Sequence, residues 1–319
     1  MNNPSISVVM TTFNGAAHLR GQLTSLRDQS LRPDEVLIFD DQSEDETPAL
    51  LEAFLRDNDL PGWRVIRRPS RKGWKRNFMD GAARAEGELI FLCDQDDIWD
   101  PDKIQRMAEE MGRHPEALLL ACDYRLVYEE GAVRSKVYRK RPGEKRNPVS
   151  PYPFRRNFFQ NPRPGCSYAL RRSFFREAAP YWFPAAPHDE FLWLMAALQG
   201  GAYFYNRELM TYVRYAGNAS DIRYKDIQAQ LKNLDYISEM LRRLVRFAGE
   251  HPARVTERKK RYLAQAQVWC EKRKKLMKTR NPLRWLALMP WWGYYNSPKN
   301  ALSDLVLVLF GSFRRKARR

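Results

Sequence analysis

Through its first hundred residues the chain alternates short apolar β-branched runs with stretches of helical periodicity, and this alternation limits the possible folds most. Ile6 to Met10 reads as a strand, and Leu19, Leu23 and Leu26 then recur at helical spacing. Val36 to Phe39 is a second strand. Thr47-Pro48 opens a helix buried through Leu50, Leu51, Phe54 and Leu55. Val65-Ile66 is a short strand, a helix with small residues follows from about Arg76 to Ala85, and Leu89 to Cys93 is the next strand. This βαβαβαβ order predicts an α/β fold with a mostly parallel sheet and helices on both faces. In such sheets ligands bind at the carboxyl ends of the strands.

Polar residues collect at those ends. The first strand runs into Thr11-Thr12-Phe13-Asn14, the second into Asp40-Asp41-Gln42-Ser43, and the strand ending at Cys93 into Asp94-Gln95-Asp96-Asp97. Acids delivered this closely by a buried strand repel one another, and a cation offsets that repulsion. Asp-x-Asp suits a hard divalent ion, Mn²⁺ or Mg²⁺, that keeps positions open for diphosphate oxygens. The competing reading makes these carboxylates helix caps. Asp100 before Pro101 fits a cap, which leaves Asp94 and Asp96 without that role. Neither G-x-G-x-x-G nor a Walker A sequence is present, which argues against a dinucleotide oxidoreductase and a P-loop ATPase.

Four widely spaced cysteines, Cys93, Cys122, Cys166 and Cys270, read as buried thiols in a reducing compartment. The amino terminus lacks a charged leader-like region, and no run reaches the roughly 18 apolar residues of a membrane span. A cytoplasmic protein is the expectation. Its net charge of +17 is unevenly placed: residues 1–241 carry 34 Lys and Arg against 34 Asp and Glu, whereas residues 242–319 carry 21 against 4. A basic tail behind a neutral body points to a polyanionic partner.

The tail's composition selects among such partners. Leu283 to Tyr295 mixes Trp and Tyr with aliphatic residues beside arginine, and Leu302 to Phe310 is apolar except for Ser303 and Asp304. That suits a segment lying in lipid head groups, which predicts peripheral attachment to an anionic membrane surface, the inner face of the cell membrane. The alternative packs these helices on the protein and leaves the basic residues solvated. No nucleic-acid-binding signature accompanies the charge. Ile227, Leu231, Leu234, Ile237, Leu241 and Leu244 define a long amphipathic helix, with a Lys/Arg-rich helix from about Val255 to Lys278. Two regions follow: residues 1–220, which bind ligand and catalyse, and a helical appendage over 221–319.

Val8 to Asn14, Val36 to Asp45 and Gly87 to Asp97, in this order and spacing, resemble the inverting family 2 glycosyltransferases of GT-A fold, over about residues 5–215. The resemblance extends to rhamnosyltransferase-like members and implies a deoxysugar donor. It implies that Thr11, Phe13, Asn14 and Asp41 hold the nucleotide of a UDP- or dTDP-sugar, with Asp94 near the ribose and with Asp96 and Asp94 at the metal. An acidic base is expected at a helix start in the second half of the domain. His188-Asp189-Glu190-Phe191 fits that pattern, making Asp189 the candidate base and Glu190 the fallback; a first-turn acid favoured by the helix dipole is the alternative. Gly165-Cys166-Ser167 resembles the segment that lines the acceptor cleft, with Gly165 admitting close backbone approach and His188 orienting the base or acceptor.

One departure stands out. Where relatives carry a histidine near the diphosphate, this chain reads Val213-Arg214-Tyr215-Ala216-Gly217-Asn218. Arg214, or Lys75 in the basic loop Arg71 to Arg76, would supply positive charge instead. Gly131 to Pro153 reads as a loop able to order over the cleft, or as a disordered insertion. The implied activity is metal-assisted inverting transfer of a sugar to a surface polysaccharide or lipid-linked glycan. A sugar-1-phosphate nucleotidyltransferase and a non-enzymatic membrane-associated scaffold are the competing classes.

Overall fold

The computed structural model describes residues 4–131, 148–159, 161–215 and 226–311. Most of the predicted 131–153 loop, and Ala216 with its neighbours, lie outside these. The chain divides into two compact units: Met1–Tyr152 with Asn161–Asn218, and Pro153–Gln160 with Ala219–Arg319. A single cut at residue 220 therefore misses Pro153–Gln160, which belongs with the carboxyl-terminal helices.

In the first unit, β1 (Ile6–Thr12), β2 (Glu35–Asp40), β3 (Trp63–Arg67) and β4 (Leu89–Cys93) are parallel, in the order β3-β2-β1-β4. Every residue of β1, β2 and β4 is buried, as expected of strands covered on both faces. The crossovers are α1 (Ala16–Arg27), α2 (Thr47–Asp57) and α3 (Trp74–Arg84). Gly81 lets α3 lie directly on the sheet, because a Cβ there would overlap Val9 and crowd Phe39.

Beyond β4 the sheet becomes mixed. A short β5 (Ile98–Trp99) and α4 (Lys103–Arg113) lead to β6 (Leu119–Tyr128), and β7 (Val149–Pro151) is a strand where the sequence predicts loop. β8 (Tyr168–Arg171) runs antiparallel between β4 and β6. Two helices, α5 (Arg172–Ala178) and α6 (His188–Gln199), precede β9 (Ala202–Arg214), which is parallel to β6 and antiparallel to β5 and β7. Six of the nine described strands thus share a direction.

Asp100 is not the cap of α4. The helix starts at Lys103, and the Asp100 carboxylate pairs with Arg125 while its backbone N–H binds Leu209 O. A strongly charged partner one strand away outcompetes a helix terminus that Pro101 has already displaced.

The second unit is helical. Its long helices are α7 (Ile227–Glu250), capped by Asp226 accepting from Ala229 N at 2.8 Å, and α8 (Glu257–Thr279). They are joined where Cys270 Sγ donates to Leu234 O and Lys274 pairs with Asp235 at 3.0 Å. Phe154 stacks on Phe158 and on Tyr262 of α8. The short α9 (Leu283–Leu286), a 3-10 segment (Met289–Tyr294) and α10 (Pro298–Phe310) complete it. Asp304 is 1% exposed and accepts from Arg273 Nε at 2.7 Å and Nη2 at 2.9 Å, from the Tyr295 hydroxyl at 2.7 Å and from Gln230 Nε2 at 3.2 Å. The Arg273 guanidinium lies over the rings of Trp269 and Tyr295.

Candidate active site

Parallel pairing aligns the ends of β1, β2 and β4, and the loops leaving them are stitched together. The Gln95 amide accepts from Phe13 N at 2.8 Å and donates to Phe13 O at 3.1 Å, filling space that Gly15 leaves open. Asn14 has φ 45°; its N–H donates to Ser43 Oγ, and its Oδ1 accepts from Glu44 N. Asn14 is thereby placed as a brace between two loops. Thr11 is buried at the end of β1.

Asp41 organises the basic loop. Its two carboxylate oxygens accept from Lys72 N at 2.7 Å and Gly73 N at 2.9 Å, and Gly73 has the positive φ of 79° that this turn requires. The loop sets the Arg71 guanidinium 3.7 Å from the centroid of the Phe13 ring, a cation–π contact. Lys75 Nζ donates to Ala185 O at 2.8 Å, and its charge reaches Asp189.

At the end of β4 the acids diverge. Asp94, half-buried by surface yet densely surrounded, is pushed up to about 7, first by burial and then by Asp96; Asp189 adds to the rise, while the Cys166 thiol and Lys103 oppose it. Asp96 is raised by burial against a hydrogen bond from Tyr215 and the charges of His18 and Arg214. Tyr215 itself stacks on His18 at 4.5 Å. Asp97 is fully buried, and burial with its acidic neighbours pushes it well above the ordinary carboxylate range.

Asp94, Asp97 and Cys166 place ligand-type atoms within 4.8 Å of one another. Burial holds the Cys166 thiol far up, so it stays protonated and suits no hard cation. Asp94 and Asp96 are both part-exposed, and Asp96 raises Asp94, a repulsion that a hard cation such as Mg²⁺ or Mn²⁺ would relieve.

This predicts a pH-dependent stability. Asp94 titrates near 7 folded against about 3.9 unfolded, so its contribution is full below the unfolded value and is lost as pH rises through about 7. Between pH about 6 and about 8 the metal-free protein should lose about 1–2 kcal/mol that Asp94→Asn does not lose. Thermal unfolding at the two pH values checks this, and equal losses in both proteins refute it. Millimolar Mn²⁺ should restore the wild-type loss.

The second half of the site is built at the start of α6. Asp189 Oδ1 accepts from Glu190 N and Oδ2 from Asn161 Nδ2, both at 2.8 Å, while burial raises the carboxyl. The Tyr168 hydroxyl donates to Asn161 Oδ1 at 2.6 Å, which turns the Asn161 amide toward Asp189. A Cβ on Gly165 would lie 2.7 Å from His188 Nε2 and 3.0 Å from Asp189 Cβ. The close approach that requires glycine is thus to α6, where a ligand was expected.

Three other expectations for this half need correction. His188 stacks on Phe78 at 4.0 Å and meets Trp74 edge-on; burial lowers it to about 3, and neither ring nitrogen has a hydrogen-bond partner among the described residues. It packs beneath the start of α6 and stays neutral. Ser167 Oγ donates to Pro164 O, and the Cys166 side chain is buried beside Asp94 and Asp97, so both face the interior instead of an open cleft. The structure brings Asp94, Asp96, Asp189, Lys75 and Arg214 into one electrostatic group. Sequence reasoning missed Gln95, Asn161 and Tyr215. A groove of about 500 Å³ near Pro4, Glu88 and Arg176 lies at the opposite, amino-terminal ends of the strands.

A mostly parallel sheet carrying paired acids after its fourth strand, with a further buried carboxylate opening α6, is a GT-A-like architecture. Residues 7–178 match Glycosyl transferase family 2, and the chain belongs to that family. It is 35% identical over 134 residues to an uncharacterized protein of Mycobacterium tuberculosis, a match covering 41% of this chain and 38% of the relative. The putative glycosyltransferase EpsH of Bacillus subtilis is 30% identical over 131 residues, 41% of this chain and 36% of that protein. A Campylobacter jejuni GalNAc(5)-diNAcBac-PP-undecaprenol beta-1,3-glucosyltransferase is 28% identical over 94 residues, 30% of each chain. The matched stretch thus spans between 30% and 38% of these relatives' length. Among solved structures, S. aureus TarS 1-349 in complex with UDP-GlcNAc superposes with a TM-score of 0.60 at 15% identity, covering 98% of this chain and 93% of that one. That likeness is one of fold.

Proposed function

We propose that the protein transfers a sugar, with inversion, from a UDP- or dTDP-linked donor to a surface glycan or lipid-linked acceptor. The observation that carries this reading is the convergence of Asp94 and Asp189, which feel each other's charge although nearly a hundred residues apart. One carboxylate belongs to the diphosphate end of a donor and the other to the incoming hydroxyl. TarS has been solved with UDP and with UDP-GlcNAc, and the Campylobacter relative is named for an undecaprenol-linked glycan; both support this donor and acceptor chemistry.

In this mechanism Asp189 takes the proton of the acceptor hydroxyl. Each of its oxygens already accepts one N–H and keeps a lone pair for that proton, and its raised affinity for protons makes it the stronger base. Asp94 and Asp96 would hold a divalent ion, which when bound offsets charge on the departing diphosphate. Arg214 and Lys75 add cationic charge from β9 and α3. Calorimetry with UDP, dTDP, GDP and ADP, with and without Mn²⁺, tests the reading. Metal-dependent binding of a pyrimidine diphosphate that Asp96→Ala abolishes supports it, and no nucleotide binding at all refutes it.

Attachment to an anionic bilayer through the second unit belongs to the same proposal. No helix of the described residues is long and apolar enough to cross a membrane. Leu283 (71%), Leu286, Met289, Leu302, Leu309 and Phe310 (73%) are exposed, while Tyr294 and Tyr295 are buried and Trp285 Nε1 donates to Ala301 O. Phe310 and the exposed aliphatic residues, more than the tyrosines at 294 and 295, are therefore the candidates for insertion. Binding to phosphatidylglycerol vesicles is expected to exceed binding to phosphatidylcholine, and to weaken near 1 M salt, where the Debye length is about 3 Å. Leu309→Ser with Phe310→Ser should reduce it severalfold in a flotation assay. Equal flotation with both lipids would argue against the surface.

A further inference from the structure

Lys103 is the first residue of α4 and lies outside every motif at the strand ends. A lysine at an exposed helix start points outward by default, yet Lys103 is 0% exposed. Its Nζ donates to the backbone carbonyl of Cys166 at 2.8 Å, approaches Met210 Sδ at 3.4 Å and lies 3.6 Å from the centroid of the Trp99 ring. A buried ammonium is tolerated only with compensating negative charge. Here that charge is the acidic end of β4: Lys103 acts electrostatically on Asp94 and Asp97. Asp97 is also 0% exposed, and among the described residues neither of its oxygens has a hydrogen-bond partner apart from the weakly donating Cys166 thiol.

Its hydrogen bond reaches the other half of the site. Cys166 belongs to the 3-10 turn Gly165–Ser167, and Gly165 abuts His188 and Asp189. One side chain thus fastens to α4 the turn against which Asp189 rests, and the Cys166 side chain of that turn lies beside Asp94 and Asp97 at the end of β4. We propose that Lys103 is a positioning residue that sets the base against the donor by fastening the Cys166 carbonyl to α4, which holds the 165–167 turn beside the acidic end of β4. This rests on the transferase reading, because it assigns those two halves to donor and acceptor.

Lys103→Met keeps length and apolar bulk while removing the charge and the hydrogen bond. A displacement of about 1 Å at reacting groups costs up to about 10²-fold in rate, so kcat should fall at least about tenfold while the Kd for UDP stays within about threefold. Amide exchange at Ser167 and Tyr168 should speed up, with β1 and β2 unchanged. The pair Lys103→Met/Asp97→Asn removes the buried ammonium together with the buried carboxyl on which it acts, so that neither is left without the other. It should recover the melting temperature without recovering kcat or the protection of the turn. Recovery of kcat in the pair, or failure of both variants to fold, would show that Lys103 is only a structural counter-charge. Wild-type protein that binds no nucleotide would instead refute the transferase reading, and the exchange result would still judge the tether.

Discussion

Asp189→Asn is expected to lower kcat by about 10²–10⁴-fold while leaving calorimetric UDP binding unchanged. The substitution keeps the volume at the start of α6 but cannot accept a proton. Asp189 is already held at both oxygens, by Glu190 N and by Asn161. Glu190→Gln should accordingly retain most activity, and a larger loss there than at Asp189 would exchange the two assignments. Burial raises the Asp189 carboxyl, and the base works only when ionised. The acid limb of kcat against pH should therefore lie above the ordinary carboxylate range. Asn161→Ala should lower kcat, because Tyr168 then has no amide through which to orient the carboxylate.

Asp304→Ala is expected to destabilise the helical unit by about 3–5 kcal/mol, because it leaves the Arg273 guanidinium buried without its counter-charge. The carboxylate joins α7, α8, α10 and Tyr295, so its loss frees all four together. Replacing the pair, with Arg273→Met and Asp304→Leu, should cost far less, since two apolar side chains need no compensation. Chemical denaturation followed by circular dichroism measures both. An Asp304→Ala protein as stable as wild type would show that the pair contributes nothing. Vesicle flotation of the same variant should fall as the exposed apolar row loses its scaffold.

The parallel half of the sheet was legible because β1, β2 and β4 are apolar on both faces and are punctuated by helices of clear period. The mixed half was not. β5 and β7 have two and three residues, too few for any pattern, and β7 exists only through its pairing with β9. In the site, the acids after β4 announced themselves by density. Asn161 and Lys103 did not, since each acquires its role from a partner distant in sequence. Asp100 was misread as a cap because Arg125, the stronger partner, comes from another strand. The tail's aromatic residues were assigned outward by composition, and Tyr294 and Tyr295 turn inward because they close over α8 and α10.

The clasp between Gln95 and the backbone of Phe13 has a consequence for how such a chain can drift over generations. The side chain at 95 occupies the very space that any residue larger than glycine would claim at 15. Neither position is free to change first: a methyl at 15 evicts the amide, and a shorter residue at 95 strands the Phe13 amide N–H. Tolerance of a substitution at 15 is therefore expected to depend on the residue at 95, eighty positions away.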